Sequence, residues 1–156
     1  MQLNFLCRHH RRALMADPQA AGSLWLDSRR RLARDAAAPT PYRVSLAGSG
    51  LEAAAIHLRA RPACDAEALR SYAYTALQLI DMLVRLRQGR LAATALACAD
   101  RTMAQLADTS TDVDGARGAA EMLREEGRRL IQPILDTPVP ASHAPSTLRP
   151  PTATLH

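Results

Sequence analysis

One segment, from residue 65 to residue 108, constrains the fold of this chain more than any other. Its two halves carry apolar residues at helical spacing on either side of the turn-like sequence Gln88-Gly89-Arg90, which predicts two helices folded back on each other. The stripe of the second half is built almost entirely from small side chains: Leu91, Ala92, Ala95, Leu96, Ala99, Met103 and Leu106. Because small side chains let helix backbones approach closely, the segment predicts an α-hairpin that serves as a structural unit.

The same periodicity covers most of the remaining chain. Apolar residues recur every three or four positions in the ranges 3–15, 18–37, 42–60 and 113–132. We therefore expect an all-α fold of about five helices in antiparallel α-hairpins, with a C-terminal capping helix. Inside the third range, Gly48-Ser49-Gly50 is expected to form a turn, since two glycines in three helical positions cost roughly 2 kcal/mol relative to alanine.

Short signals mark several helix ends. Asp17 and Asp65 have the position and the residue type of helix N-caps. Gly89 is suited to a C-terminal cap, because glycine readily adopts a positive φ. The spacing of Thr111 and Asp114 is that of an acidic capping box at the start of the last helix.

The domain organisation follows from the distribution of proline. Pro133 is expected to end or kink the last helix. From residue 137 onward the chain has five prolines and little apolar content, which is typical of disorder. We expect one helical domain over 1–136 and a proline-rich disordered tail over 137–156.

The hairpin resembles a degenerate tetratricopeptide-repeat unit. The positions that carry the likeness are Leu77, Ile80 and Val84 in the first helix, Gly89 in the turn, and Ala95 and Ala99 in the second helix. The Leu-Gly pair and the closing proline of the family pattern are missing, since Asp81 follows Ile80. The opening from Phe5 to Arg11 is similar to that of small proteobacterial helical proteins of this type. The resemblance implies a right-handed array that acts as a protein-binding scaffold, closed by the helix 113–132.

Charge points to the first third of the chain as a binding region. The net charge is +5, every basic residue is arginine, and residues 1–61 hold ten arginines against four acids. The candidate partner-binding residues are Arg8, Arg11, Arg12, Arg29, Arg30, Arg31 and Arg34. We expect them to bind an acidic protein or peptide, while a solvated helix face is the alternative interpretation.

A nucleic-acid-binding regulator is the second functional hypothesis, because clustered arginines can neutralise phosphates. The chain has only five aromatic residues, which is few for a surface that stacks bases. The helix after Gly89 is alanine-rich and apolar, unlike the polar recognition helix of a helix-turn-helix. Protein or peptide binding is therefore preferred.

Metal and redox chemistry form the third hypothesis. Cys7 and His10 share one helix face, whereas His9 does not. A structural zinc site needs four ligands at recognisable spacing, and the sequence has neither CxxC nor HxxxH. We expect no metal and no cofactor, with Cys7 packed against the protein.

Catalysis is not predicted. Asp81 lies within the broad apolar stripe, but an i,i+4 pair with Arg85 accounts for it. The sequence has no P-loop, no GxGxxG, no GxSxG and no HExxH. We therefore expect a non-catalytic adaptor or chaperone-like module rather than an enzyme.

Three widely spaced cysteines are typical of reduced thiols rather than a disulfide framework. The N-terminal region lacks the charge order of a secretory signal, and no stretch of ~20 uninterrupted apolar residues is present. A cytoplasmic location without a membrane span is expected. The exposed part of the central helix leaves a homodimer open as an alternative.

Overall fold

The computed structural model describes residues 4–38 and 40–136, and in these ranges the chain is helical between short loops. Its six helices are α1 (Arg8–Ala16), α2 (Pro18–Arg34), α3 (Thr40–Arg59), α4 (Ala66–Arg85), α5 (Gly89–Ala107) and α6 (Val113–Leu135). The all-α prediction is confirmed. The predicted number of about five helices is not confirmed, since six are present. The expected tail, 137–156, lies outside the described residues.

Two pairs of consecutive helices run in opposite directions. At the α2–α3 crossing, His57 near the end of α3 meets the carbonyl of Pro18 at the start of α2, with Nδ1 at 2.8 Å. The α5–α6 pair shows the same arrangement, because Gly89 at the start of α5 lies against Ile134 near the end of α6. The α2–α3 and α5–α6 pairs are therefore antiparallel, whereas α4 and α6 meet at their starts, where a Cβ on Gly115 would overlap that of Ala66.

Helix α4 is buried on several sides, as its broad apolar stripe predicts. It packs against α3, α5 and α6. Its buried residues are Ala66, Leu69, Tyr72, Ala73, Thr75, Ala76, Leu79, Ile80, Met82 and Leu83. One polar contact fixes its register, since Trp25 of α2 donates from Nε1 to the Thr75 hydroxyl at 3.0 Å. The small residues Ala92, Ala95 and Ala99 of α5 lie on its buried face, as the apolar stripe predicts.

The turn predicted at Gly48-Ser49-Gly50 is wrong, because α3 continues through all three residues. Close packing gives the reason. A Cβ on Gly48 would overlap the ring of Phe5, and a Cβ on Gly50 would lie 2.9 Å from the Cβ of Ser28. The glycines weaken the helix locally, but they let α2 and the residues before α1 approach α3 closely.

The N-caps of α2 and α4 are confirmed. Asp17 accepts hydrogen bonds from the backbone N–H groups of Gln19 and Ala20, and Asp65 accepts one from Ala68 at 2.7 Å. The predicted capping box of α6 is wrong. Asp112 is the N-cap there and accepts from Gly115 at 2.9 Å, because its carboxylate stands one residue nearer the helix than Thr111.

The α4–α5 turn differs from the prediction as well. Arg87, rather than Gly89, adopts the left-handed conformation, with φ of 58°. The N–H of Arg87 bonds to the Val84 carbonyl and the N–H of Gln88 to the Leu83 carbonyl, which is the Schellman pattern. Gly89 is instead the first residue of α5. It is buried because the start of α5 packs against Ile134.

The first or last residues of several helices also differ from the predicted ranges. Helix α1 begins at Arg8, where the Cys7 side chain is the N-cap, and α2 ends at Arg34. Helix α6 runs through Pro133 to Leu135.

Two loops at one end of the bundle are joined, since the Ser110 hydroxyl donates to the Cys64 carbonyl at 2.8 Å. Burial raises the pKa of the Cys64 thiol.

Candidate partner-binding site

The predicted arginines of α1 do not share one role. Arg11 forms an ion pair with Glu52 of α3, and its guanidinium also donates to the side-chain oxygen of Asn4 at 3.0 Å. Glu52 in addition accepts from the backbone N–H of Phe5. Arg8 and Arg12 are exposed. Arg11 therefore anchors the N-terminal segment to α3, and this burial in an internal pair was not visible in the sequence.

Most of the predicted arginines of α2 have partners within the chain. Arg31 pairs with Asp27 at 2.8 Å and Arg34 with Asp35 at 3.1 Å. The guanidinium of Arg29 lies over the Trp25 ring, 6.0 Å from its centroid. These contacts lower the charge that α2 presents to a partner.

Arg30, like Arg8 and Arg12, is exposed and makes no ion pair with any described residue. The predicted arginines therefore fall into two groups. The anchored ones contact another side chain of the chain: Arg11, Arg29, Arg31 and Arg34. The unanchored ones make no ion pair with a described residue: Arg8, Arg12 and Arg30. Whether the unanchored ones bind a partner stays a prediction.

A groove lies between α1, α3 and α5, and Arg11 is the one member of the predicted arginine set among its lining residues. This groove has a volume of about 580 Å³, within the range of protein ligand sites. It forms because α3 and α5 meet only marginally along their lengths. Its apolar floor is made by Met15, Leu51, Ala55, Ile56 and Ala99.

Arginines also line the groove. Arg59 of α3 donates from Nη2 to the Thr102 hydroxyl at 3.1 Å and to the Gln105 amide oxygen at 2.8 Å, both on α5. Arg101 of α5 is exposed and makes no ion pair in the described part of the chain. Glu52 is the only acid in the lining among residues 4–38 and 40–136, and it is paired with Arg11. The described part of the groove therefore carries an excess of positive charge.

The wall of the groove includes a buried phenol. Burial raises the pKa of Tyr72 to about 12, against the smaller lowering effect of its hydrogen bond with Thr102. The phenol is therefore neutral at physiological pH. Tyr72, Thr102 and Arg59 form a polar chain across α3, α4 and α5 that holds the guanidinium of Arg59 in place.

Arg59 and Arg101 were missed by reasoning from the sequence. The signal was weak, because neither residue belongs to a run of arginines such as 29–31, and each helix carries only one other arginine, Arg43 in α3 and Arg90 in α5. Their relation depends on α3 and α5 lying side by side, and Arg59 contacts Gln105 across 46 positions of sequence. Spacing along the chain cannot reveal such a pair.

Two of the cysteine and histidine residues near the N-terminus, Cys7 and His10, contact each other. The Cys7 Sγ lies 3.2 Å from the His10 Nδ1 and also caps α1. No group of three or more metal-ligating side chains exists among residues 4–38 and 40–136. Cys7 is exposed, so the expectation that it packs against the protein is wrong.

Asp81 is explained as expected, since its carboxylate accepts from Arg85 Nε at 2.8 Å. None of the helices in the described ranges is long and apolar enough to cross a bilayer. Comparison of the chain with protein-family models, curated proteins and solved structures gives no significant match. We therefore infer the function from the geometry of the groove.

Proposed function

We propose that this protein is a non-catalytic interaction module whose groove between α1, α3 and α5 binds an acidic, partly apolar peptide segment of a partner protein. The observation that carries the proposal is the apolar floor beside the guanidinium groups of Arg59 and Arg101. A partner segment with leucine-like side chains and nearby carboxylates has the complementary chemistry.

The chemistry of Arg59 favours such a ligand. Both of its hydrogen bonds to α5 use Nη2, so Nε and Nη1 still have N–H groups that can donate to a carboxylate. Arginine binds carboxylates through two parallel hydrogen bonds when its planar group is held in place. The contacts with Thr102 and Gln105 hold that group before the partner arrives, which lowers the entropic cost of binding.

We infer an adaptor or chaperone-like role from the groove. Antiparallel helices around α4 leave a groove on one side, and a tetratricopeptide-like array would present its binding surface in this way. We further propose that the helices form a right-handed, tetratricopeptide-like array and that the protein acts in the cytoplasm. The basic helix α2 contributes little to the groove, so the acidic partner is assigned to Arg59 and Arg101 instead.

The two alternative hypotheses, nucleic-acid binding and homodimerisation, involve other surfaces of the protein. A nucleic-acid regulator would bind through the unanchored Arg8, Arg12 and Arg30, with a strong dependence on salt. A homodimer would cover exposed apolar residues of α4 such as Tyr74. Light scattering on the full chain distinguishes a dimer from a monomer with an open groove.

The test uses three labelled probes and fluorescence anisotropy. The first is a synthetic peptide of leucine and glutamate, the second replaces every glutamate by glutamine, and the third is single-stranded DNA. We expect the acidic peptide to bind best. The double variant Arg59→Gln/Arg101→Gln should weaken its binding by tenfold or more, because each charge-assisted hydrogen bond contributes about 1.5–3 kcal/mol.

The matched control is Arg8→Gln/Arg12→Gln, which removes the same charge outside the groove. It should leave the peptide affinity nearly unchanged. Equal losses in both double variants would mean that only net charge matters, and the groove proposal would fail. Preferential binding of DNA, lost in the control variant, would support the nucleic-acid alternative instead.

A further inference from the structure

The helices that border the peptide groove give it a direction. Arg11 of α1 pairs with Glu52 of α3. The carbonyl of Pro18, which follows α1, lies 2.8 Å from the Nδ1 of His57 on α3. Because the second contact lies further along both parts of the chain than the first, α1 and α3 run parallel.

Helix α5 ends at the same end of the groove as α3. Arg59, the last residue of α3, donates to the side chain of Gln105 in the last turn of α5. The loops that follow the two helices are joined as well, through Ser110 and Cys64. The C-terminal ends of α1, α3 and α5 therefore lie together, and each carries the negative pole of a helix dipole.

Charge is distributed unevenly along the groove. Arg59 and Arg101 both stand at this end, since Arg101 precedes Thr102, which accepts a hydrogen bond from Arg59. Toward the other end, the charge of Glu52 is neutralised by Arg11. An acidic segment therefore gains more from carboxylates at one of its ends than from carboxylates spread along its length.

The borders of the groove favour a helical ligand over an extended one. An extended peptide gains affinity by pairing its backbone with the edge of a sheet, whereas the described lining comes from helices and the adjoining Ala60. A proline-rich segment docks on exposed aromatic rings, and the one aromatic residue in the described lining, Tyr72, is buried. A helix pairs its own backbone groups, so it can lie on an apolar floor without leaving them unsatisfied.

The floor also has the length of a short helix. On α3 the lining runs from Leu51 to Ala60, which is about 14 Å at 1.5 Å per residue. A helix of about ten residues would cover this length with apolar side chains at positions i, i+3, i+4 and i+7. The small side chains of Ala55 and Ala99 in the floor let such a helix approach closely.

We propose that the partner segment binds as an amphipathic helix, antiparallel to α1 and α3, with acidic side chains in its first turn. Those carboxylates would meet Arg59 and Arg101. In this direction the positive pole of the bound helix lies beside the negative poles of the three bordering helices, and acids in a first turn are themselves favourable. The inference rests on the proposed function, since it specifies the conformation and the direction of the peptide in the same groove.

The conformation is tested with a leucine–glutamate peptide whose glutamates lie in the first turn. One variant of the peptide replaces a central leucine by proline, and its matched control replaces the same leucine by alanine. Fluorescence anisotropy with the full chain should show at least about tenfold weaker binding of the proline peptide, because proline interrupts a helix. Equal affinities of the two variants would overturn the helical conformation and leave the peptide groove standing.

The direction is tested by NMR of the protein with 13C-labelled methionine methyl groups. Met103 follows Thr102 and therefore lies at the arginine end of the groove. A nitroxide on the first residue of the peptide should broaden the Met103 resonance more than a nitroxide on the last residue. The opposite result would overturn the antiparallel direction, and failure of every peptide to bind would overturn the proposed function as well.

Discussion

Gly50 and Ser28 set how closely α2 and α3 cross, and both show how one residue can depart from its usual preference. Gly50 is helical although glycine disfavours helices, because the Cβ of Ser28 occupies the space that a side chain would need. Ser28 in turn is buried with an unpartnered hydroxyl. Local preference is overridden at such positions by packing between elements.

The first prediction concerns Ser28. Replacing it by alanine removes the unpaired hydroxyl without adding volume, so the free energy of unfolding should rise by about 1–3 kcal/mol. Urea denaturation of the ligand-free protein measures this change. The control is Ser45→Ala, also on a helix but exposed, which separates the effect of helix propensity. Similar changes in both variants would show that burial of the hydroxyl is not costly.

At the scale of elements, close helix crossings depend on glycine in α6 as well as in α3. A Cβ on Gly115 would overlap the Cβ of Ala66 at the start of α4, whereas a Cβ on Gly118 meets nothing within 4 Å. The two glycines lie within one turn of the same helix. They therefore form a matched pair for testing the α4–α6 crossing.

Gly115→Ala should lower the free energy of unfolding by about 1–3 kcal/mol, since the added methyl would meet both Ala66 of α4 and the carboxylate of the Asp112 N-cap. Gly118→Ala should raise it by up to about 1 kcal/mol, because alanine favours the helix and the site is open. Thermal or urea denaturation of both variants measures the difference. A stabilising Gly115→Ala would contradict the described crossing.

Helix α1 is the element with the weakest attachment, because none of its residues is buried. Its main polar anchor is Glu52, which binds Arg11 and the backbone N–H of Phe5. Releasing this anchor would open one wall of the peptide groove, which includes Arg11.

Glu52→Gln should therefore make α1 leave α3 more often, since the neutral amide cannot pair with the guanidinium. Limited digestion with trypsin should then cleave faster after Arg8 and Arg12. Glu121→Gln, an exposed position on α6, serves as the control. Unchanged cleavage in the Glu52 variant would mean that apolar contacts of Phe5 hold α1 without the ion pair.

At the scale of the whole molecule, the helices follow from apolar periodicity, because each helix must bury one face. The N-caps at Asp17 and Asp65 were also visible, since a cap is a contact between residues two or three apart. The groove was not visible. Its key contact, between Arg59 and Gln105, joins α3 to α5 across 46 positions.

Contacts between residues far apart in sequence also decide which of the predicted arginines are paired within the chain. Clustering in the sequence marked Arg11 as a binding residue, but the fold pairs it with Glu52, 41 positions away. Arg101 stood beside Asp100 in sequence, yet the structure pairs Asp100 with Arg124 at 2.6 Å. Which arginine is left for a partner is decided by tertiary contacts, so composition alone cannot assign it.

The measurement that tests the groove proposal most directly is NMR of the protein with 13C-labelled methionine methyl groups, titrated with the leucine–glutamate peptide. Met15 lines the groove, whereas Met122 of α6 does not. We expect the Met15 methyl resonance to shift until the site is saturated, while the Met122 resonance stays in place. A binding peptide that shifts Met122 and leaves Met15 unchanged would show that the partner-binding surface lies elsewhere.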